Sequence, residues 1–251
     1  MLWISHRGES VDAPENTLAA FKLSLERNTD GMECDVHLTA DGKLVVCHDF
    51  DTLRTCGVSM RIEESNYSDL QNLVANNKKI GFDDARIPLF GETIQYLGNR
   101  YYYIEIKENN PAVIDAVVAE LNKAKVPQEQ IVIISFHADI VKAFKQKYPE
   151  IKALFLVMFK VNPNGTWSPT AKQLIEMLKD QGADGVDIQC NLNFITQQYV
   201  DEVKSAGFTF AAWTIDDAWL ARRFIEMGAD VITSNRAAAI RDQLEADGLS
   251  R

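Results

Sequence analysis

Glu33 and Asp35 stand two residues apart in a stretch, 31–36, that reads as a strand, so both carboxylates leave one face while Met32 and Cys34 leave the other. Glu105 and Lys107 repeat the spacing at the end of a second strand pattern, with Ile104 and Ile106 turned away from them. Carboxylates brought together in a protein interior are costly to bury unpaired, and a hard divalent cation with oxygen ligands offsets their repulsion. Glu33, Asp35 and Glu105 are therefore the candidate metal ligands. Such an all-oxygen set suits one Ca2+ or Mg2+ better than zinc, which prefers nitrogen or sulfur. Salt bridges from these acids to Lys107 or Arg7 are the alternative reading.

Two histidines fall where a proton-transfer pair would be useful. His6, with Arg7 and Gly8, follows the first strand pattern, and His48-Asp49 follows the extended run 43–47. Imidazole titrates near neutrality, so two of them can divide acid and base work at a leaving alkoxide. Arg7 can clamp phosphate oxygens through two parallel hydrogen bonds, and Lys107 supplies a point charge. A lysine at a strand end also permits Schiff-base chemistry, though that reading leaves the three acids without a purpose. Trp213, and similarly Phe136, could wall a substrate site or simply pack. His37 and His137 read as structural or surface residues, and Thr233-Ser234-Asn235 as an ordinary cap for the last helix.

What must position these groups is legible as alternation. Eight short apolar, β-branched or aromatic runs, at 2–5, 31–36, 101–106, 131–135, 153–157, 185–188, 208–213 and 231–233, read as strands. Helical periodicity follows at 16–27, 91–98, 111–124, 138–147, 170–180, 194–205, 216–226 and 236–246. Eight strand-helix repeats in 251 residues predict an α/β fold, a (β/α)8 TIM barrel spanning 1–251, with an open doubly wound sheet as the runner-up. In a barrel the strand C-termini gather the active site, which is where His6, Lys107 and Trp213 fall. The Gly-Ala-Asp triplets at 182–184 and 228–230 sit alike between helix and strand, as two successive barrel units would. The polar interval 51–86 breaks the rhythm and reads as an insertion of about 35 residues over the barrel mouth, with a short helix near 68–75. A passive surface excursion is its bland alternative.

Composition narrows the partners. A formal charge of -10 opposes nonspecific attraction to nucleic acid or anionic membranes, so an anionic substrate must be caught locally by a cation or by clustered Arg and Lys. The four cysteines lack C-x-x-C spacing and read as reduced, structural thiols. No apolar run is long enough to span a bilayer, so a cytoplasmic location is expected unless a signal peptide has been removed.

Taken together, His6-Arg7-Gly8, Ala13-Pro14-Glu15-Asn16-Thr17, Glu33-Cys34-Asp35-Val36 with Thr39 and Asp41-Gly42, and Val46-Cys47-His48-Asp49 resemble the opening of the glycerophosphodiester phosphodiesterase family. The resemblance continues through Ile87-Pro88-Leu89 with Glu92, Ile104-Glu105-Ile106-Lys107, Ser135-Phe136, Ala212-Trp213-Thr214 and the stretch 228–233. It implies Glu33, Asp35 and Glu105 as metal ligands, His6 and His48 as the catalytic pair, and 51–86 as the family's insertion. Its implied reaction is metal-dependent hydrolysis of a small glycerophosphodiester to glycerol 3-phosphate and an alcohol.

Two departures stand out: Asp216 replaces a frequent Asn in the Trp-Thr-Ile-Asp sequence, and Ser234-Asn235-Arg236 replaces an acidic-then-proline pattern. Neither is expected to touch the metal ligands or the histidines, so they bear on substrate preference more than on activity. A lipid-directed, phospholipase D-like enzyme on the same barrel and a catalytically silent metal-binding barrel are the rival readings. The acids at 51, 63, 64, 69, 83 and 84 give the insertion little of the basic or apolar rim that a bilayer requires, so no stable membrane association is expected. Oligomeric state has no signal in the sequence.

Overall fold

A computed structural model describes residues 1–249. Among these, eight parallel strands form the barrel: β1 (Leu2–Ser5), β2 (Gly31–Leu38), β3 (Tyr101–Ile106), β4 (Ile131–Ser135), β5 (Lys152–Val157), β6 (Gly185–Gln189), β7 (Thr209–Trp213) and β8 (Val231–Ser234). Each pairs with its neighbours in sequence order, and β1 pairs with both β2 and β8, so the sheet closes on itself. Closure excludes the open doubly wound sheet.

Burial on both faces explains why these strands read as nearly continuous apolar runs. Cys34, Ile104, Ile133, Val186, Ala212 and Ile232 point outward into the shell of helices. Ile4, Tyr103, Val132, Ile134, Leu154, Leu156, Ala211 and Val231 fill the interior. Polar inward side chains are confined to a few positions, and the register makes Asp35 on β2 the partner of Glu105 on β3.

The shell comprises α1 (Leu18–Glu26), α2 (Pro111–Lys123), α3 (Ala138–Lys147), α4 (Ala171–Gln181), α5 (Gln197–Ser205), α6 (Ala218–Glu226) and α7 (Ala237–Ala246). Thr17, Asn110, Thr170, Thr196 and Asp217 cap five of them through their side chains. The two Gly-Ala-Asp triplets do the same work: Asp184 accepts from the Ala153 amide and pairs with Lys145, while Asp230 accepts from the Phe210 amide and pairs with Lys204.

The helix expected at 91–98 is much shorter, a single α-turn at Phe90–Thr93 followed by a 3-10 turn at Ile94–Tyr96. Gly91 and the adjacent β-branched Thr93 and Ile94 are poor helix formers, and Gly98 at φ 57° stops the pattern. The segment 51–86 holds one-turn helices at Leu53–Cys56 and Tyr67–Leu70, the latter shorter than expected. Ile62, Leu70 and Ala75 of this segment pack with Val45, Cys47 and Ile87 in a small core of their own.

Candidate active site

Glycine and asparagine chemistry shapes the loop after β1. Arg7 and Gly8 take φ of 56° and 78°, and a Cβ at Gly8 would lie 2.5 Å from the Ala20 backbone of α1. The turn folds the loop against α1 and leaves the Arg7 amide donating to Glu33 Oε2 at 2.9 Å. Asn16, also at positive φ, brackets Asp35: its Nδ2 donates to Asp35 Oδ2 at 2.7 Å and its Oδ1 accepts from the Asp35 amide at 3.4 Å. Beyond Asp35, β2 runs into a hairpin. Thr39 and Asp41 bond each other, Gly42 supplies φ of 72°, and Leu44–Val46 returns antiparallel to β2. Cys47 then donates to the Asp35 carbonyl at 3.0 Å, which delivers His48 to the mouth.

The three acids lie together as expected, each with a carboxylate oxygen within 4.8 Å of the others. Both predicted cations join them. Lys107 Nζ lies 2.8 Å from Glu105 Oε1 and 3.3 Å from Asp35 Oδ1, and Arg7 Nε lies 3.3 Å from Asp35 Oδ2. The salt bridges weighed against a metal are thus present, but they do not balance the cluster. Burial and the neighbouring Asp35 push Glu33 well above the carboxylate range, and the same two causes raise Glu105 to about 8. Asp35 behaves oppositely: burial would raise it, but Lys107 and then Arg7 outweigh burial and hold it far below its ordinary value. Asp35 Oδ1 has no hydrogen-bond donor among the described residues. An all-oxygen donor set whose Asp35 Oδ1 has only the Lys107 ion pair, beside two carboxyls raised by burial and then by Asp35, fits a hard divalent cation.

Each histidine presents one ring nitrogen to a partner behind it. His6 Nδ1 lies 2.7 Å from Asn235 Oδ1, and its Nε2 lies 3.9 Å from Glu33 Oε2. Burial, then the charge of Arg7, lowers its pKa to about 4. His48 Nδ1 lies 2.6 Å from Asp49 Oδ1, and burial lowers its pKa as well. Trp213 stands half-buried at the end of β7, its Nε1 donating to the Asp187 carbonyl at 3.1 Å and its ring edge-on to Phe136 at 5.6 Å. Acids, cations and histidines therefore meet at the C-terminal ends of the strands, and Trp213 and Phe136 stand at the ends of β7 and β4.

The sequence profile of the Glycerophosphoryl diester phosphodiesterase family matches residues 6–239, nearly the whole chain. The chain belongs to this family. It is a phosphodiesterase, and several relatives match it over most of their own length. A glycerophosphodiester phosphodiesterase of Caldanaerobacter subterraneus subsp. tengcongensis is 27% identical over 93% of each chain. The solved structure of an Oleispira antarctica phosphodiesterase, in complex with the product sn-glycerol-3-phosphate, superposes with a TM-score of 0.85 at 29% identity over 96% of both chains. A lysophospholipase D of Homo sapiens is 32% identical over 61% of this chain and half of its own length.

Several groups around the phosphodiesterase mouth escape a reading by residue type. Glu15 accepts from Arg7 Nη1 at 2.8 Å and from both terminal nitrogens of Arg54 at 2.6 and 2.8 Å. Arg54 also donates from Nε to Asp49 Oδ2 at 2.6 Å, so residues of 51–86 reach the partners of Arg7 and His48. His37 takes the structural of its two expected readings: it is fully buried, with ring nitrogens 2.7 Å from Glu108 Oε1 and 3.3 Å from the His48 carbonyl. His137 Nε2 lies 3.1 Å from the Lys107 carbonyl. Asp187 is buried inside the barrel with Oδ1 unpartnered, and burial raises its pKa to about 8.

Two expectations about the last strand fail. The residue at the N-cap of α7 is Arg236, with no side-chain cap, so Ser234 and Asn235 are not ordinary caps. Asn235 instead bonds His6, and Asp216 bonds Asn235, so the two departures do reach a histidine. The failure has a simple cause: His6 donates its amide to the Ser234 carbonyl, because strand closure sets the end of β8 beside the end of β1. Residues 229 apart in sequence become neighbours only through that closure.

Proposed function

We propose that this phosphodiesterase hydrolyses small glycerophosphodiesters to glycerol 3-phosphate and an alcohol, with one divalent cation, Ca2+ or Mg2+, held by Glu33, Asp35 and Glu105. The observation that carries the reading is the convergence of those three acids with His6 and His48 at one mouth. A bound cation supplies positive charge to the phosphoryl oxygens as negative charge grows there. Arg7 and Lys107, already lodged among the acids, are placed to hold the remaining phosphate oxygens. One histidine takes the proton of the nucleophile as its oxygen bonds to phosphorus. The other gives a proton to the alcohol oxygen as the second phosphorus–oxygen bond breaks. The nucleophile is water, either directly or after the glycerol 2-hydroxyl has formed a cyclic phosphate. Trp213 and Phe136 wall the glycerol or alcohol. The chain acts as one barrel domain with 51–86 as an insertion that steadies Glu15 and Asp49 through Arg54.

A second reading, a lipid-headed alcohol, is favoured by one feature. A mainly apolar groove of about 860 Å3, lined in part by Phe136, Val157, Met158 and Met177, starts beside the mouth and runs along α4. The Homo sapiens lysophospholipase D noted above is consistent with such a substrate. No helix among the described residues is long and apolar enough to cross a membrane. Comparing kcat/KM for glycerophosphocholine and for a lysophosphatidylcholine below its micellar concentration decides between them. A higher value for glycerophosphocholine is the expected result, and a clear preference for the lysolipid would replace the first reading by the second.

A further inference from the structure

Asp216 and Asn235, at the two departures from the family pattern, form a hydrogen-bonded chain that ends on His6. Asp216 Oδ1 accepts from Ser234 Oγ at 2.9 Å and from the Asn235 amide at 2.8 Å, while Oδ2 accepts from Asn235 Nδ2 at 2.5 Å. On its other side Asn235 Oδ1 lies 2.7 Å from His6 Nδ1 and accepts from Ser10 Oγ at 2.9 Å.

The direction of this chain follows from what each group can donate. An ionised carboxylate only accepts, so the amide of Asn235 must turn its NH2 to Asp216 and its oxygen to the imidazole. A flipped amide would set two acceptors, its own oxygen and the carboxylate, against each other at Asp216. The amide oxygen in turn only accepts, so His6 Nδ1 must carry a proton. A neutral ring then has its lone pair on Nε2, the nitrogen that faces Glu33.

We propose that Asp216 and Asn235 are positioning residues that fix His6 as the Nδ1–H tautomer, with Nε2 free and turned toward the reacting phosphodiester. Neither touches the substrate; Asp216 acts through Asn235, and Asn235 through the imidazole. Free histidine in water favours the opposite tautomer, so the preference has to be imposed. A carboxylate at 216 imposes it, because an amide there can both donate and accept and would let Asn235 lie either way. The catalytic consequence rests on the reading of His6 as an acid/base group; the tautomer itself does not.

The test is a long-range 1H–15N correlation spectrum of the four imidazoles in the full chain, with His6→Gln assigning the His6 signals, recorded beside kcat and KM. The expected result is a single Nδ1–H tautomer for His6. It should become a mixture in the near-isosteric Asp216→Asn and in Asn235→Ala, while kcat falls about 10- to 100-fold and KM stays within about twofold. An Nε2–H tautomer in the unsubstituted protein, or a tautomer unmoved by both substitutions, overturns the proposal. The expected tautomer changes without hydrolysis of any glycerophosphodiester would uphold it and remove the functional reading instead.

Discussion

Asp35 and Glu105 face each other in register across adjacent parallel strands, and Lys107 Nζ reaches both, at 3.3 and 2.8 Å. Two carboxylates that would repel share one lysine. Burial, and then the neighbouring Asp35, still raises Glu33 and Glu105 above the ordinary carboxylate value. Lys107 therefore offsets part of the repulsion between the acids, and a divalent ion bound there would relieve more of it.

Thermal stability should report that relief. At a hundredfold excess over its dissociation constant, an ion that binds only the folded chain adds about 2.7 kcal/mol. For a chain of this size that is a rise in Tm of roughly 5 to 10 °C. Differential scanning calorimetry of chelator-treated protein, with and without Mg2+ or Ca2+, measures it. Glu105→Gln should fold yet lose most of the response; an undiminished response would place the ion elsewhere.

Asp49 should matter through His48. Its carboxylate 2.6 Å from Nδ1 favours the imidazolium, while burial, the larger influence, disfavours it. Asp35 favours the imidazolium more strongly and remains, but Asp49→Asn removes the second favourable influence and lowers the His48 pKa further. Any limb of the pH–rate profile that belongs to His48 then moves to lower pH, with kcat down about tenfold. His48→Ala should lower kcat by about 100- to 10,000-fold. An unmoved profile in Asp49→Asn would assign that limb to another group.

Asp187 predicts a pH dependence of stability rather than of rate. Burial raises its folded pKa to about 8 from an ordinary aspartate value, so the folded chain holds a proton that the unfolded chain releases. Stability contributed by this group is full below the unfolded pKa and falls by about 1.4 kcal/mol per pH unit until the pH passes about 8. Asp187→Asn keeps the shape and removes the slope. Urea denaturation at pH 5 and pH 8 should show the variant gaining on the unsubstituted protein at the higher pH. An equal difference at both values would mean that Asp187 is already ionised in the folded chain.

Legibility differed by the range of the interaction. Strand alternation placed Glu33, Asp35 and Glu105 on inward faces because a two-residue period is local, and helix limits at 138–147 agree with α3 because its ends are marked by local periodicity. His6 and His48 could be chosen by type and position, but their partners could not. Asn235 reaches His6 by barrel closure, and Asp49 meets Arg54 by the folding of 51–86, for which periodicity offered no geometry. Glu15 and Asn16 were visible as a motif, yet their bonds to Arg7, Arg54 and Asp35 depend on backbone turns at positive φ. The short helix at Phe90–Thr93 was overestimated because apolar spacing continues past the residues that stop it.

The central claim is that the acids, the cation they hold and the histidines act as one hydrolytic centre on a glycerophosphodiester. Glycerol 3-phosphate release from glycerophosphocholine, by metal-stripped protein before and after adding Mg2+ or Ca2+ and beside His6→Ala, tests it most directly. The account predicts activity that is lost on stripping, restored by the ion, and absent in His6→Ala at every metal concentration. Full activity without metal, or undiminished activity in His6→Ala, would contradict it.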